Sequence, residues 1–172
     1  ILELLIWYAV NDPDPGPDRG EFEGLESGRR VHTVGINSVR GRVAECLGVL
    51  VHADAERIPK LRYAIDAVVG DDSEAVRCCA AVVGAGLIRH RTDLAVDLAE
   101  RLLQADGMTL ATWPLERLLW YLLPAHTERL LPYLEQMLVS PVEEIVAVGS
   151  RRICLAALSD ERASELATRC IQ

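Results

Sequence analysis

The chain has few aromatic residues: 5% of its 172 positions, with a single Phe. A core made almost without rings must be packed by Leu, Val, Ala and Ile, side chains that suit close helix-on-helix contact. Alternating β-type runs are missing as well, so no sheet is expected. The longest apolar runs, such as Leu118 to Pro124, are far short of the roughly 18–20 residues a membrane-spanning helix needs. Ile1 to Val10 is apolar, but it has no basic leading segment and no small-residue cleavage site, so it does not read as a secretory signal. Positive charge is also scarce. Eighteen Lys and Arg face 26 Asp and Glu, for a net charge of −8, which argues against nonspecific nucleic-acid binding. Lys60 is the single lysine, an Arg bias that suggests a GC-rich bacterial genome.

No CxxC pair occurs among the five cysteines, Cys46, Cys78, Cys79, Cys154 and Cys170. Each lies in an apolar helical stretch, and they read as reduced core thiols of a cytoplasmic protein. His32, His52, His90 and His126 are scattered, without metal-ligand spacing. His90 and His126 fall near helix ends, where His commonly satisfies terminal carbonyls. There is no phosphate-binding glycine loop after a strand and no nucleophile elbow. Gly84-Ala85-Gly86 falls inside a helix, where small residues permit close packing. No catalytic residue, cofactor or metal is expected.

What the sequence does contain is a repeat. Asn37-Ser38-Val39-Arg40-Gly41-Arg42-Val43-Ala44 recurs as Ser73-Glu74-Ala75-Val76-Arg77-Cys78-Cys79-Ala80, with Val-Arg returning 37 residues on. A period of this length marks stacked helical hairpins. Apolar residues at helical spacing predict nine helices: to Val10, from Asn37 or Ser38 to Leu50, about 55–69, 73–87, 92–104, 112–123, 127–139, from about 142, and from Ser159 or Asp160 to the end. Second helices of successive hairpins would begin near residues 38, 75, 112 and 143. Ile1 to Val10 is expected to be buried all round. The run Asn11-Asp12-Pro13-Asp14-Pro15-Gly16-Pro17 stops that helix, and residues 11–35 are expected to form a polar loop insertion, either mobile and solvated or a contact loop. The chain starts without Met and already inside an apolar pattern, which is expected of a piece of a larger protein.

Asp71-Asp72-Ser73-Glu74-Ala75-Val76-Arg77 resembles the turn and second-helix start of a HEAT repeat, and Gly35-Ile36-Asn37-Ser38-Val39-Arg40-Gly41 is similar. Ser140-Pro141-Val142-Glu143-Glu144-Ile145-Val146 matches less well, with Val146 in place of Arg, and the Leu115 region matches only in apolar pattern. The resemblance implies a single all-α domain over 1–172, a right-handed α-α superhelix of about four hairpins plus an extra helix. It further implies a non-catalytic scaffold that binds a protein or peptide. A sensor arm packing on another part of a bacterial NTP-binding protein, similar to those of signalling NTPases, is the first alternative. A HEAT-like DNA-processing enzyme is the second, and the acidic balance disfavours it.

The resemblance implies that in such a stack the equivalent Arg reaches an Asp of a neighbouring turn, so Arg40, Asp72 and Arg77 are expected to form a structural ladder. Second helices commonly line the concave side. Here they carry Arg40, Arg42, Arg77, Arg117, Arg151 and Arg152 against Glu45, Glu74, Glu116, Glu143 and Glu144, whereas the first helices are acidic. Arg42, Arg77, Arg117 and Arg151 are therefore the candidate partner-binding residues, for an acidic peptide or domain. Trp113, Trp120 and Tyr121 are expected to pack in the core or between repeats, with an exposed recognition patch as the alternative.

Overall fold

The computed structural model describes residues 2–16, 27–105 and 107–171. All regular structure among them is helical: α1 (Leu2–Asn11), α2 (Ser27–Asn37), α3 (Val39–Ala53), α4 (Arg57–Val69), α5 (Glu74–Leu87), α6 (Thr92–Leu103), a 3-10 turn (Met108–Ala111), α7 (Trp113–Met137), α8 (Glu143–Ala156) and α9 (Glu161–Ile171). The apolar spacing thus locates most helices, with two differences that offset one another in number.

The first difference is α2, which occupies the last part of the expected loop. Its two glycines read as loop signals, yet both are contact points. A methyl group on Gly28 would collide with the Ala111 carbonyl, and one on Gly35 with the Ala75 carbonyl. The helix docks through its backbone, so the apolar stripe that announces a helix is short: Val31 is its one fully buried large side chain. Residues 12–16 are also tied down. The Val39 amide donates to the Asp14 carboxylate at 2.8 Å, supplying a partner to an otherwise orphaned donor at the start of α3. The Arg40 guanidinium donates to the carbonyls of Asp12 (2.6 Å) and Pro15 (3.0 Å). Residues 17–26 of the expected loop lie outside the described residues.

The second difference is α7, where two expected helices run on as limbs of one bent helix. Pro124 lacks an amide donor, and His126 leaves the helical region at φ −134°, ψ 27°. The Thr127 hydroxyl donates to the Leu123 carbonyl at 2.7 Å across the bend.

Helix α5 is the centre of the molecule. It touches α2, α3, α4, α6, α7 and the 3-10 turn, and its small residues Ala75, Cys78, Cys79, Ala80, Ala81, Gly84 and Gly86 are buried. Its crossing with α3 is backbone to backbone. A Cβ on Gly86 would strike the Gly48 carbonyl, and one on Gly48 would come within 2.7 Å of the Val82 carbonyl. Glu74, in the first turn of α5, accepts the Met108 amide at 2.6 Å, next to Gly107, whose φ of 97° favours glycine.

Helices of two kinds line up across the molecule. Helix α3 packs on α5, Gly84 of α5 meets Leu118 in the first limb of α7, and Glu116 of that limb pairs with α8. On the other side α4, α6, the second limb of α7 and α9 follow one another through contacts and ion pairs. Helix α1 packs on α3 and α4. Contrary to the expectation of all-round burial, only its Ala9 is buried, and Leu4 and Trp7 are more than half exposed.

Candidate functional site

The first limb of α7 turns Leu115, Leu118, Leu119, Leu122 and Leu123 into the core. Helical geometry then places Trp113, Arg117, Trp120 and Tyr121 together on the opposite stripe. Trp113, Trp120 and Tyr121 are 59%, 54% and 53% exposed, so the expectation that they pack inside is corrected: leucines already fill that side. The Arg117 guanidinium lies 5.3 Å from the Trp113 ring centre, and that of Arg152 lies 5.8 Å from Trp120. Both contacts fall within the reach of cation–π attraction.

Beside this stripe a groove of about 490 Å³ runs along the C-terminal halves of α3 and α5. Gly48 and Gly86 form its floor, Val49, Val82 and Ala85 its apolar walls, and Arg89, Arg117 and Tyr121 its rim. The groove follows from the close crossing: two glycines at the point of contact leave no side chains to fill the depression.

The expected partner-binding arginines separate in the structure. Arg117 lines the groove. Arg42 is exposed in the first turn of α3 and pairs with Glu45 of its own helix at 2.6 Å. Arg151 and Arg152 both hold Glu116, at 3.1 and 2.8 Å. Arg77 is half-buried, and its guanidinium donates to the carbonyls of Asp71 and Asp72 at 2.6 and 3.0 Å. The carboxylate that meets Arg40 belongs to Asp71, at 2.9 Å with both side chains largely buried. Asp72 is exposed and gives Arg77 only its carbonyl, because the Asp71 carboxylate also accepts the Ser73 amide and is thereby held toward Arg40. Arg89 was missed by sequence reading because it lies just past the end of α5. Its signal was the spacing Val82, Ala85, Gly86, Arg89, which continues one face of that helix.

Ion pairs between helices far apart in sequence do occur, mostly among the acidic helices. Arg101 of α6 reaches Asp66 of α4, 35 residues back, at 2.6 Å. Arg129 reaches Asp97 and Glu100 of α6. Arg162 and Arg169 of α9 reach Glu128 and Glu135, each 34 residues back. Burial pushes the Asp66 carboxyl up, but its bonds to Arg62 and Arg101 outweigh this and hold it below the ordinary carboxylate value. The hydrogen bonds that Arg129 donates to Glu100 and Asp97 raise its pKa. Among the described residues, Arg89 and Arg117 have no carboxylate partner of this kind.

The cysteines are all free thiols, with Cys78 and Cys79 buried and Cys46, contrary to the core reading, exposed. The neighbouring Cys78 and then burial raise the pKa of the Cys79 thiol, the reverse of what activates a nucleophile. A ring nitrogen of His90 lies 2.9 Å from the His52 carbonyl at the end of α3. Thus His90 does meet a terminal carbonyl, on a different helix from the one it follows. Among the described residues no group of three or more His, Cys, Asp or Glu could hold a metal ion, and no helix is long and apolar enough to cross a membrane. No family model matches the chain, and comparison with curated proteins and with solved structures finds no significant match.

Proposed function

We propose that the chain is a HEAT-like, right-handed α-α superhelix that acts as a non-catalytic protein-interaction module. Its inner face is that of α3, α5 and the first limb of α7, and the partner is an acidic protein or peptide. The repeat reading is supported by the return of ion pairs at 34–36 residues and by the order in which the helices meet. Free thiols fit a reducing, cytoplasmic setting.

One observation carries the binding reading. In a chain of net charge −8, the arginines of α4, α6, the second limb of α7 and α9 are engaged by carboxylates, whereas Arg89 and Arg117 lie on the face that exposes Trp113, Trp120 and Tyr121. Aromatic and Arg side chains are the residues that dominate protein interfaces, and they are left here on one surface.

The test is fluorescence. In a Trp7→Phe variant only Trp113 and Trp120 report, and both lie on the proposed face. Titration with a synthetic Glu-rich dodecapeptide should give a saturable change in emission that weakens with added salt. No change, or an equal change with a Lys-rich peptide of the same length, overturns the reading.

A further inference from the structure

The groove between α3 and α5 has a chemistry more specific than a cationic surface. We propose that it is a socket for a bulky apolar side chain, Leu or Phe, of an acidic segment whose flanking carboxylates meet Arg89 and Arg117. This rests on the reading of the inner face given above and names what that face selects.

Three features lead to this occupant. The floor cannot close by collapse, because the Gly48 and Gly86 backbones already touch. The depression is thus preformed, which lowers the cost of binding. Its volume of about 490 Å³ falls in the range of about 300–1,000 Å³ usual for ligand sites. Finally, the walls and the rim ask for different things. Val49, Val82 and Ala85 offer apolar surface, while the guanidinium groups of Arg89 and Arg117 match the planar fork of a carboxylate. A purely acidic segment leaves the apolar walls wet. A purely apolar one covers two guanidinium groups without pairing them, which costs free energy. A segment that alternates the two satisfies both. Single-stranded nucleic acid would also bring anions and could stack on Tyr121 at the rim, but the walls inside the groove are aliphatic and the chain carries a net charge of −8.

The experiment measures fluorescence anisotropy with a labelled octapeptide, Glu-Glu-Leu-Phe-Glu-Glu-Leu-Glu, and two controls, one with Leu and Phe replaced by Ser and one with Glu replaced by Lys. Protein variants are Ala85→Trp, which fills the groove, Val49→Glu, which puts a carboxylate on an exposed wall position, and Arg89→Glu. Melting followed by circular dichroism identifies any variant that fails to fold, and Val49→Glu, at a residue 67% exposed, keeps the test intact if Ala85→Trp does not. The parent chain should bind the Glu/Leu/Phe peptide at least tenfold more tightly than the Ser control and should not bind the Lys control. Each folded variant should lose tenfold or more. Equal binding of the first two peptides, or unchanged binding by Ala85→Trp and Val49→Glu, overturns the socket and leaves the acidic inner-face reading standing. Absence of binding to either acidic peptide up to about 1 mM, or tighter binding of the Lys peptide or of oligo-dT, overturns both.

Discussion

The two faces of this protein use charge in different ways. On the side of α4, α6, the second limb of α7 and α9, arginines meet carboxylates of the preceding helix on that side: Arg101 with Asp66, Arg129 with Asp97 and Glu100, Arg169 with Glu135. On the side of α3, α5 and the first limb of α7, helices approach through glycine, and Arg89 and Arg117 line an open groove. Net charge therefore says little about what such a chain can bind. A total of −8 coexists with a local cationic surface because many of the other arginines are paired with carboxylates elsewhere.

The comparison can be broken first at the glycines. Gly86→Leu drives a side chain into the Gly48 carbonyl, and we expect a loss of about 3 kcal/mol or more, or failure to fold. Gly149→Ala, where the nearest atom is the Met137 Cβ at 2.8 Å, should cost about 1 kcal/mol. Urea denaturation midpoints check both, and equal losses would remove the distinction between backbone and side-chain contact. Next in size is Arg40→Ala, which strands the largely buried Asp71 carboxylate. A loss of about 2 kcal/mol is expected, whereas Arg169→Ala, whose ion pair with Glu135 is more than half exposed on both sides, should change stability by about 0.5 kcal/mol or less. A smaller effect lies in pH. The folded Asp66 carboxyl titrates below its ordinary value of 3.8, so its stabilisation is whole above that value and is lost as pH falls through the lower folded one. Asp66→Asn should therefore flatten the loss of stability in that acid range, as read from thermal melts, and leave the curve near neutrality parallel to that of the parent chain.

Much of the helical layout was legible, because burial in this fold is written as apolar spacing. Leu115, Leu118, Leu119 and Leu122 give their helix away. Helix α2 escaped because Gly28 and Gly35 dock by their backbones, which a hydrophobic pattern does not record. The Arg40 partner was off by one residue, since the choice between Asp71 and Asp72 depends on the turn bond from the Ser73 amide. The groove was not legible as such: Gly48 and Gly86 are 38 residues apart in sequence, and only their contact in space makes a floor. Trp113 and Trp120 looked like core residues by type, and the leucines beside them took that place.

The central claim is that one face, and not the overall charge, receives an acidic partner. It is tested most directly by two double reversals that change net charge equally: Arg89→Glu with Arg117→Glu on one face, and Arg62→Glu with Arg129→Glu on the other. Binding of the Glu/Leu/Phe peptide is measured at one near-physiological salt concentration. The first pair should weaken binding tenfold or more and the second by less than about twofold, as expected when rim charges are screened by salt beyond roughly 8–10 Å. Equal losses from the two pairs would contradict the assignment of a binding face.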